Sequence, residues 1–201
     1  MKKFMMTLAA VLCCTMTTFV FTSCGSDDKE EEQQQPASQE ILGIGARYLI
    51  KVTRQMTEYC DYTATYYSKD NELTTEKMEW TFKDANDTIA TWVKDANSVK
   101  LPATFGVKVQ VALKEGVQLE GVKIKNMFPT TKLLYVQGIT KDRQIAWEKT
   151  LDLGAGVSSH GGVSGEKLHI AIEEFEQHGG VVNYFCTLDK DGNKVDSGKI
   201  Q

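Results

Sequence analysis

Alternation of apolar and polar side chains is the dominant pattern of this chain from Tyr48 onward. It is most regular at residues 107–113, where Val107, Val109, Val111 and Leu113 alternate with mostly polar residues. A period of two places successive side chains on opposite faces of a β-strand, so the pattern predicts a strand with one buried face. Similar patterns predict strands at residues 48–52, 62–66, 78–82, 122–125, 133–137 and 144–150.

The C-terminal third ends in a predicted hairpin. Residues 181–188 and 194–200 both have strand character, and they flank Asp189-Lys190-Asp191-Gly192-Asn193. The Asp-Gly pair favours a tight turn between antiparallel strands. A calcium loop of the EF-hand type needs its glycine at the sixth position and a glutamate at the twelfth, which this segment lacks. We therefore interpret it as a turn.

The segment 166–178 fits two patterns. Its apolar residues have helical spacing when read as Leu168, Ala171, Ile172 and Phe175. They also alternate when read as Leu168, Ile170 and Ile172. We favour a strand, because Gly179-Gly180 would then belong to a turn into the next strand, and we keep one short helix as the alternative.

Many short strands without a strand–helix–strand rhythm predict an all-β, mainly antiparallel fold, either a sandwich or a barrel. The run from residues 62–66 through Trp80 to residues 107–111 resembles immunoglobulin-type sandwich domains of envelope lipoproteins. The resemblance covers about a quarter of the chain. It implies an immunoglobulin-like β-sandwich, and we expect one such domain over residues 41–201.

The N-terminus has the three parts of an export signal. Lys2 and Lys3 precede an apolar run at residues 4–21, and the small pair Thr22-Ser23 precedes Cys24. The sequence Phe21-Thr22-Ser23-Cys24 resembles a bacterial lipobox. The resemblance implies that residues 1–23 are a signal peptide and that Cys24 is lipidated and anchors the protein in the outer membrane. A transmembrane anchor is the alternative, although the threonines in the run weaken it.

An acidic, polar segment follows Cys24. Residues 24–40 have almost nothing to bury, and we expect them to be a disordered tether. The segment is similar to the export tags of surface lipoproteins in Bacteroidota, which implies display on the cell surface. A plain solvated spacer on a periplasm-facing protein is the alternative. The residues that match the export tag are Ser26, Asp27, Asp28, Glu30, Glu31 and Glu32.

The charge balance argues against a nucleic-acid partner. The formal charge is −4, and removal of Lys2 and Lys3 with the signal peptide would change it to −6. Phosphate binding needs clustered lysine and arginine, and the sequence has no such cluster. We also expect no cofactor and no metal. The three histidines, His160, His169 and His178, are nine residues apart, unlike the closely spaced ligands of a zinc site.

Two cysteines, Cys60 and Cys186, remain after the expected lipidation site. The export signal implies a compartment that permits disulfides, so one bridge between two distant strands is possible. Both cysteines also sit in strand-like segments, where a free cysteine behaves as a small buried hydrophobic residue. We favour two free, buried thiols.

The sequence gives only weak candidates for a ligand site. Aromatic side chains bind sugars by stacking, and Tyr59 and Tyr67 fall on the face opposite Cys60, Tyr62 and Tyr66, where exposure is expected. The competing interpretation is a purely structural aromatic core. The Gly-rich stretch 152–165, which contains Ser158, Ser159 and His160, is the other candidate.

We therefore expect a non-enzymatic binding or adhesion module whose ligand is a glycan or a protein. One alternative is a structural, pilin-like subunit matured by cleavage after Arg47. The other is an envelope hydrolase that uses the 152–165 loop.

Overall fold

The computed structural model describes residues 40–154 and 162–201. These residues lie in one compact unit. The fold is mostly β, as the alternation predicted, with one short α-helix of ten residues near the C-terminus and one of six residues after the first strand.

The elements follow one another in a fixed order. They are β1 (Ile41–Thr53), α1 (Arg54–Tyr59), β2 (Cys60–Lys69), β3 (Glu72–Lys77), β4 (Ile89–Ser98), β5 (Ala103–Leu113), β6 (Lys123–Ile124), β7 (Thr131–Thr140), β8 (Ile145–Asp152), β9 (Val163–Ser164), a 3₁₀ turn (Gly165–Lys167), α2 (Leu168–Gln177), β10 (Val182–Leu188) and β11 (Lys194–Gly198).

Nine of these strands form one curled, mixed sheet with the order β11-β10-β5-β2-β4-β1-β7-β8, and β3 pairs with β2 beside this path. All neighbours are antiparallel except β2 and β4, which are parallel and pair only at Lys69 and Asn97. β6 and β9 form a separate two-stranded ladder. The sheet is therefore two antiparallel halves that join at one corner.

The curl brings the two edges of the sheet together and makes half a barrel. The indole Nε1 of Trp147 in β8 donates to the carbonyl of Lys190 at 2.9 Å, and Lys149 Nζ donates to the carbonyl of Gly192 at 2.6 Å. A Cβ at Gly138 would lie 2.3 Å from the Trp147 ring, so only glycine lets the indole lie across β7. The immunoglobulin-like sandwich of two separate sheets is not confirmed.

The buried face of the sheet forms the core. Apolar residues at alternate positions of β1, β2, β4, β5, β7 and β10 all point to this face. Tyr48 crosses the core: its hydroxyl donates to the carbonyl of Tyr67 at 2.8 Å and accepts from the amide of Gly106 at 3.0 Å. One side chain of β1 thus ties the β1 half to the backbone of the β2–β5 half.

The segment 166–178 is a helix, so the strand favoured from the sequence is wrong. α2 buries Leu168, Ala171, Ile172 and Phe175, which is the helical reading of the pattern. Phe175 packs edge-to-face on Phe128 at 5.1 Å between ring centroids. Gly179 and Gly180 have positive φ, and the amide of Gly180 donates to the carbonyl of Phe175. The two glycines therefore end a helix, as αL caps do.

The other local predictions had mixed outcomes. The hairpin around Asp189 is confirmed: its carboxylate accepts from the amides of Asp191 and Asn193, and Gly192 has φ of 72°. The strand predicted at residues 78–82 is wrong, because β3 ends at Lys77. Beyond Lys77 the segment keeps one isolated antiparallel bridge to the sheet, between Thr81 and Thr91 of β4. β3 itself is polar, and its pairing with β2 rather than its own pattern makes it a strand.

The two ends of the half-barrel differ in their connections. At the end where β1 begins, which we call the entry end, the strands are joined by the turns 70–71, 99–102, 141–144 and 189–193. At the opposite end, which we call the cleft end, lie α1, α2 and the long segments 78–88 and 114–130.

Candidate ligand-binding site

Several residues singled out from the sequence lie outside the described residues. They are Cys24, the export-tag residues Ser26, Asp27, Asp28, Glu30, Glu31 and Glu32, and Ser158, Ser159 and His160 of the Gly-rich stretch. The lipidation, the surface address and the loop candidate therefore stay predictions.

The two cysteines are free and buried. Cys60 pairs with Leu113 and Cys186 pairs with Phe105, so their partners are eight positions apart along β5. At about 3.3 Å per residue this is about 26 Å, far beyond the reach of a disulfide. Burial raises the pKa of the Cys60 thiol to about 12 and that of Cys186 to about 11. Both are packing residues, and a bridge between them does not fit this fold.

Tyr59 and Tyr67 do not form one aromatic platform. Both are half-buried; Tyr59 ends α1 and packs against the core, whereas Tyr67 lies edge-to-face with Phe185 at 6.4 Å. Tyr67 is eight positions after Tyr59, and the strand β2 between them extends over about 26 Å. The exposed aromatic side chains of the described residues are instead Phe82 and Tyr135, at 38% and 39%.

Phe82 lies in a cleft at the cleft end. The cleft consists of two adjoining hollows of about 730 and 580 Å³, which share Asp87 and Ile89. One wall is α1 with Arg54, Gln55 and Glu58, and the other is the loop 83–88. We call this feature the Phe82 cleft.

The loop 83–88 is shaped by its own carboxylates. Asp84 Oδ1 accepts from the amide of Asn86 at 2.8 Å, which is an Asx turn. Asp87 accepts from the amides of Ile89 and Lys83, both at 3.0 Å. These backbone hydrogen bonds hold the pKa of Asp87 below its usual value, because they favour the ionised carboxylate.

Arg54 fastens this loop to the rest of the cleft. Its Nη1 donates to the carbonyl of Ala85 at 2.6 Å and to that of Asp87 at 3.3 Å. Its guanidinium carbon lies 4.5 Å from the centre of the Phe82 ring, which is cation–π distance. One side chain therefore positions both the loop and the exposed aromatic ring.

The segment 123–126 is held beside α1 by a side-chain amide. Gln55 Nε2 donates to the carbonyl of Lys123 at 2.7 Å, and Gln55 Oε1 accepts from the amide of Lys125 at 3.1 Å. Thr53 Oγ1 also donates to the carbonyl of Asn126 at 3.2 Å. This arrangement brings the Lys125 side chain to the cleft.

The second hollow opens on the outer face of the sheet. Lys51 lies between Thr91 and Thr131 in register, so an ammonium and two hydroxyls share one row beside Phe82. The cleft thus offers one aromatic ring, hydroxyl groups and charges of both signs. Such a set can stack on an apolar ring face and hydrogen-bond to surrounding hydroxyls.

Within residues 40–154 and 162–201, no three histidine, cysteine or acidic side chains lie close enough to hold a metal ion. Over the same residues, no helix is long and apolar enough to cross a membrane.

Comparisons with protein-family models, with curated proteins and with solved structures found no match to this chain. The assignment of the candidate site therefore depends on the geometry of the cleft. Sequence reasoning missed Phe82 because it assigned this residue to the apolar side of a predicted strand at residues 78–82.

Proposed function

We propose that this protein is a lipid-anchored, non-enzymatic binding module of the bacterial outer membrane, and that it holds a glycan in the Phe82 cleft. The observation that carries the proposal is the fixed, exposed ring of Phe82 beside the hydroxyls of Thr91 and Thr131. Sugars present an apolar ring face surrounded by hydroxyls, and this arrangement is complementary to both.

The anchor in this proposal is acylated Cys24, and the acidic tag after it directs the protein to the cell surface. Each buried CH₂ of an acyl chain contributes about 0.8 kcal/mol, so two or more chains hold the protein stably. Mass spectrometry of the N-terminal peptide from a bacterial host that lipidates proteins tests this part. An unmodified Cys24 would contradict it.

A glycan array with the purified lipidated chain in detergent tests the binding function. Tyr135→Ala is the matched control for Phe82→Ala, because the two rings are almost equally exposed and Tyr135 stands on the open sheet face. We expect Phe82→Ala to lower the affinity about tenfold or more, which is about 1.4 kcal/mol. Equal loss in both variants would place the ligand elsewhere, and a silent array would favour a protein ligand.

The pilin-like alternative has less support. Arg47 lies in the middle of β1, between β4 and β7, and its guanidinium pairs with Asp95 at 2.6 Å. Cleavage after Arg47 would therefore have to release a central strand from both of its neighbours. The immunoglobulin-like sandwich stays a finer proposal for the fold: in the sheet itself β2 and β4 pair at one position only, and an experimental structure with that corner open would support it.

A further inference from the structure

The exposed apolar residues are concentrated at the entry end. Among the described residues, ten large hydrophobic side chains are exposed, and six of them lie within two positions of a turn or strand start at this end. They are Leu42, Leu73, Val99, Leu101, Ile145 and Val195. Single exposed apolar residues are ordinary, but a cluster of them around one end of a fold makes that end a candidate contact surface.

The 99–102 loop at the centre of this cluster has a fixed backbone. Asp70 accepts from the amide of Val99 at 2.9 Å, and Asn71 donates to the carbonyl of Pro102 at 3.3 Å. Ser98 Oγ donates to the carbonyl of Lys100 at 2.7 Å. The side chains of Val99 and Leu101 are nevertheless 61% and 37% exposed. The fold thus holds two apolar side chains in water on a well-ordered loop.

The chain enters the described fold at this same end. Glu40 precedes β1 and its carboxylate pairs with Lys141 in the turn 141–144. The sequence places only 15 residues between Cys24 and Glu40. Those 16 Cα–Cα steps reach at most about 55 Å when the chain is fully extended. An anchor at Cys24 would therefore keep the entry end within about 55 Å of the bilayer.

We propose that the entry end docks on the lipid bilayer, with Val99 and Leu101 in the interfacial region and Leu42 and Leu73 beside them. This inference rests on the lipid anchor of the proposed function. The charges on the turns at this end balance, so they give no net attraction to charged lipid and the proposed contact is apolar rather than electrostatic. The charged turn residues are Lys100, Lys141, Arg143 and Lys190, and Asp70, Asp142, Asp189 and Asp191. Docking turns the Phe82 cleft away from the membrane.

Depth-dependent quenching tests the docking. The full lipidated chain carrying Val99→Cys is labelled with an environment-sensitive fluorophore and reconstituted in neutral phosphatidylcholine vesicles that contain nitroxide lipids. The control label is at Ile170→Cys, which is 48% exposed on α2 at the cleft end. We expect a blue shift and several-fold stronger quenching at position 99, both unchanged in high salt. Equal quenching at the two positions would overturn the docking.

Flotation of the same samples separates docking from anchoring. A chain that floats with the vesicles but is not quenched at position 99 keeps the anchor and contradicts the docking. A chain that does not float contradicts both. A second variant, with Val99→Asp and Leu101→Asp and a label at Leu42→Cys, should float, unfold at an unchanged temperature and lose the quenching. Retained quenching in this variant would show that these two side chains do not make the contact.

Discussion

The entry end and the cleft end belong to one sheet but differ in chemistry. At the entry end, turns of two to five residues connect the strands, and apolar side chains stand on or beside them. At the cleft end, α1 and the loop 83–88 carry a polar cleft around one aromatic ring. Two chemically different surfaces can therefore lie far apart on one half-barrel, since strand β1 spans about 40 Å between the ends. In the proposed account, one end attaches the protein and the other binds its ligand.

The largest expected difference between the two ends is in the free energy of unfolding, and substitution of one buried tyrosine near each end measures it. Tyr48 Oη has two backbone partners near the entry end, whereas Tyr62 Oη, nearer the cleft end, has no partner in the described residues. We expect Tyr48→Phe to lower the free energy of unfolding by about 1–3 kcal/mol, because it leaves buried backbone groups unpaired. Tyr62→Phe should stay within about 0.5 kcal/mol of the parent in urea denaturation. The reverse order would show that the halves are not joined through Tyr48.

Two arginine variants test whether the cleft end, and not the outer sheet face, binds the ligand. Arg54 positions Phe82 and the loop 83–88, whereas Arg47 makes an exposed ion pair on the outer face. We expect Arg54→Ala to lower the affinity for the glycan found on the array about tenfold, or about 1.4 kcal/mol. Arg47→Ala is the control and should leave the affinity unchanged, since exposed ion pairs contribute little. Titration calorimetry measures both, and equal effects would argue against the cleft.

Acidification should lower the stability of the fold by a smaller amount, through one aspartate at each end. Backbone amides lower the pKa of Asp87 in the cleft loop and of Asp189 in the entry-end hairpin. A lowered pKa means that the stabilisation is complete above the usual aspartate value of 3.8 and is lost as the pH falls through the folded-state pKa. NMR titration of the side-chain carboxyls should give midpoints below 3.8 for both. A normal midpoint at Asp87 would mean that the cleft loop is not held by its carboxylate.

The smallest expected difference between the ends is in the reactivity of the two cysteine thiols, one of which lies near each end. Because burial raises both thiol pKa values, to about 12 and about 11, neither should react with a thiol reagent at pH 8 in the folded protein. Both should react after unfolding in guanidinium. Rapid labelling of Cys60 alone would indicate that the cleft end opens, and a disulfide-linked peptide would contradict the register of β5.

The sequence predicted those features whose cause is local. The hairpin at Asp189 is set by its own turn residues, and the alternation at residues 107–113 became β5. α2 was not predicted because its segment fits both a helical and an alternating pattern. The burial of Ala171 and Phe175, with Phe175 packed on Phe128, decides for the helix. A local sequence pattern is enough to predict an element when no residue distant in the sequence is needed to form it.

The features that depend on tertiary pairing could not be predicted. β3 has no apolar alternation of its own, and the distance between Cys60 and Cys186 follows from the register of β5. Val99 and Leu101 are apolar residues that the sequence patterns did not place, and only the strand order puts them on an exposed turn. Phe82 was assigned to the wrong face because the end of β3 is not marked in the sequence.

Energy transfer from the two ends to the membrane surface tests the separation of attachment and binding most directly. Donor fluorophores at Val99→Cys and at Asn86→Cys in the cleft loop are compared on the lipidated chain, with acceptors on the lipid headgroups. After allowance for strand tilt, the account predicts that position 86 lies roughly 30 Å farther from the acceptors than position 99. Equal transfer from both positions, or stronger transfer from position 86, would contradict it.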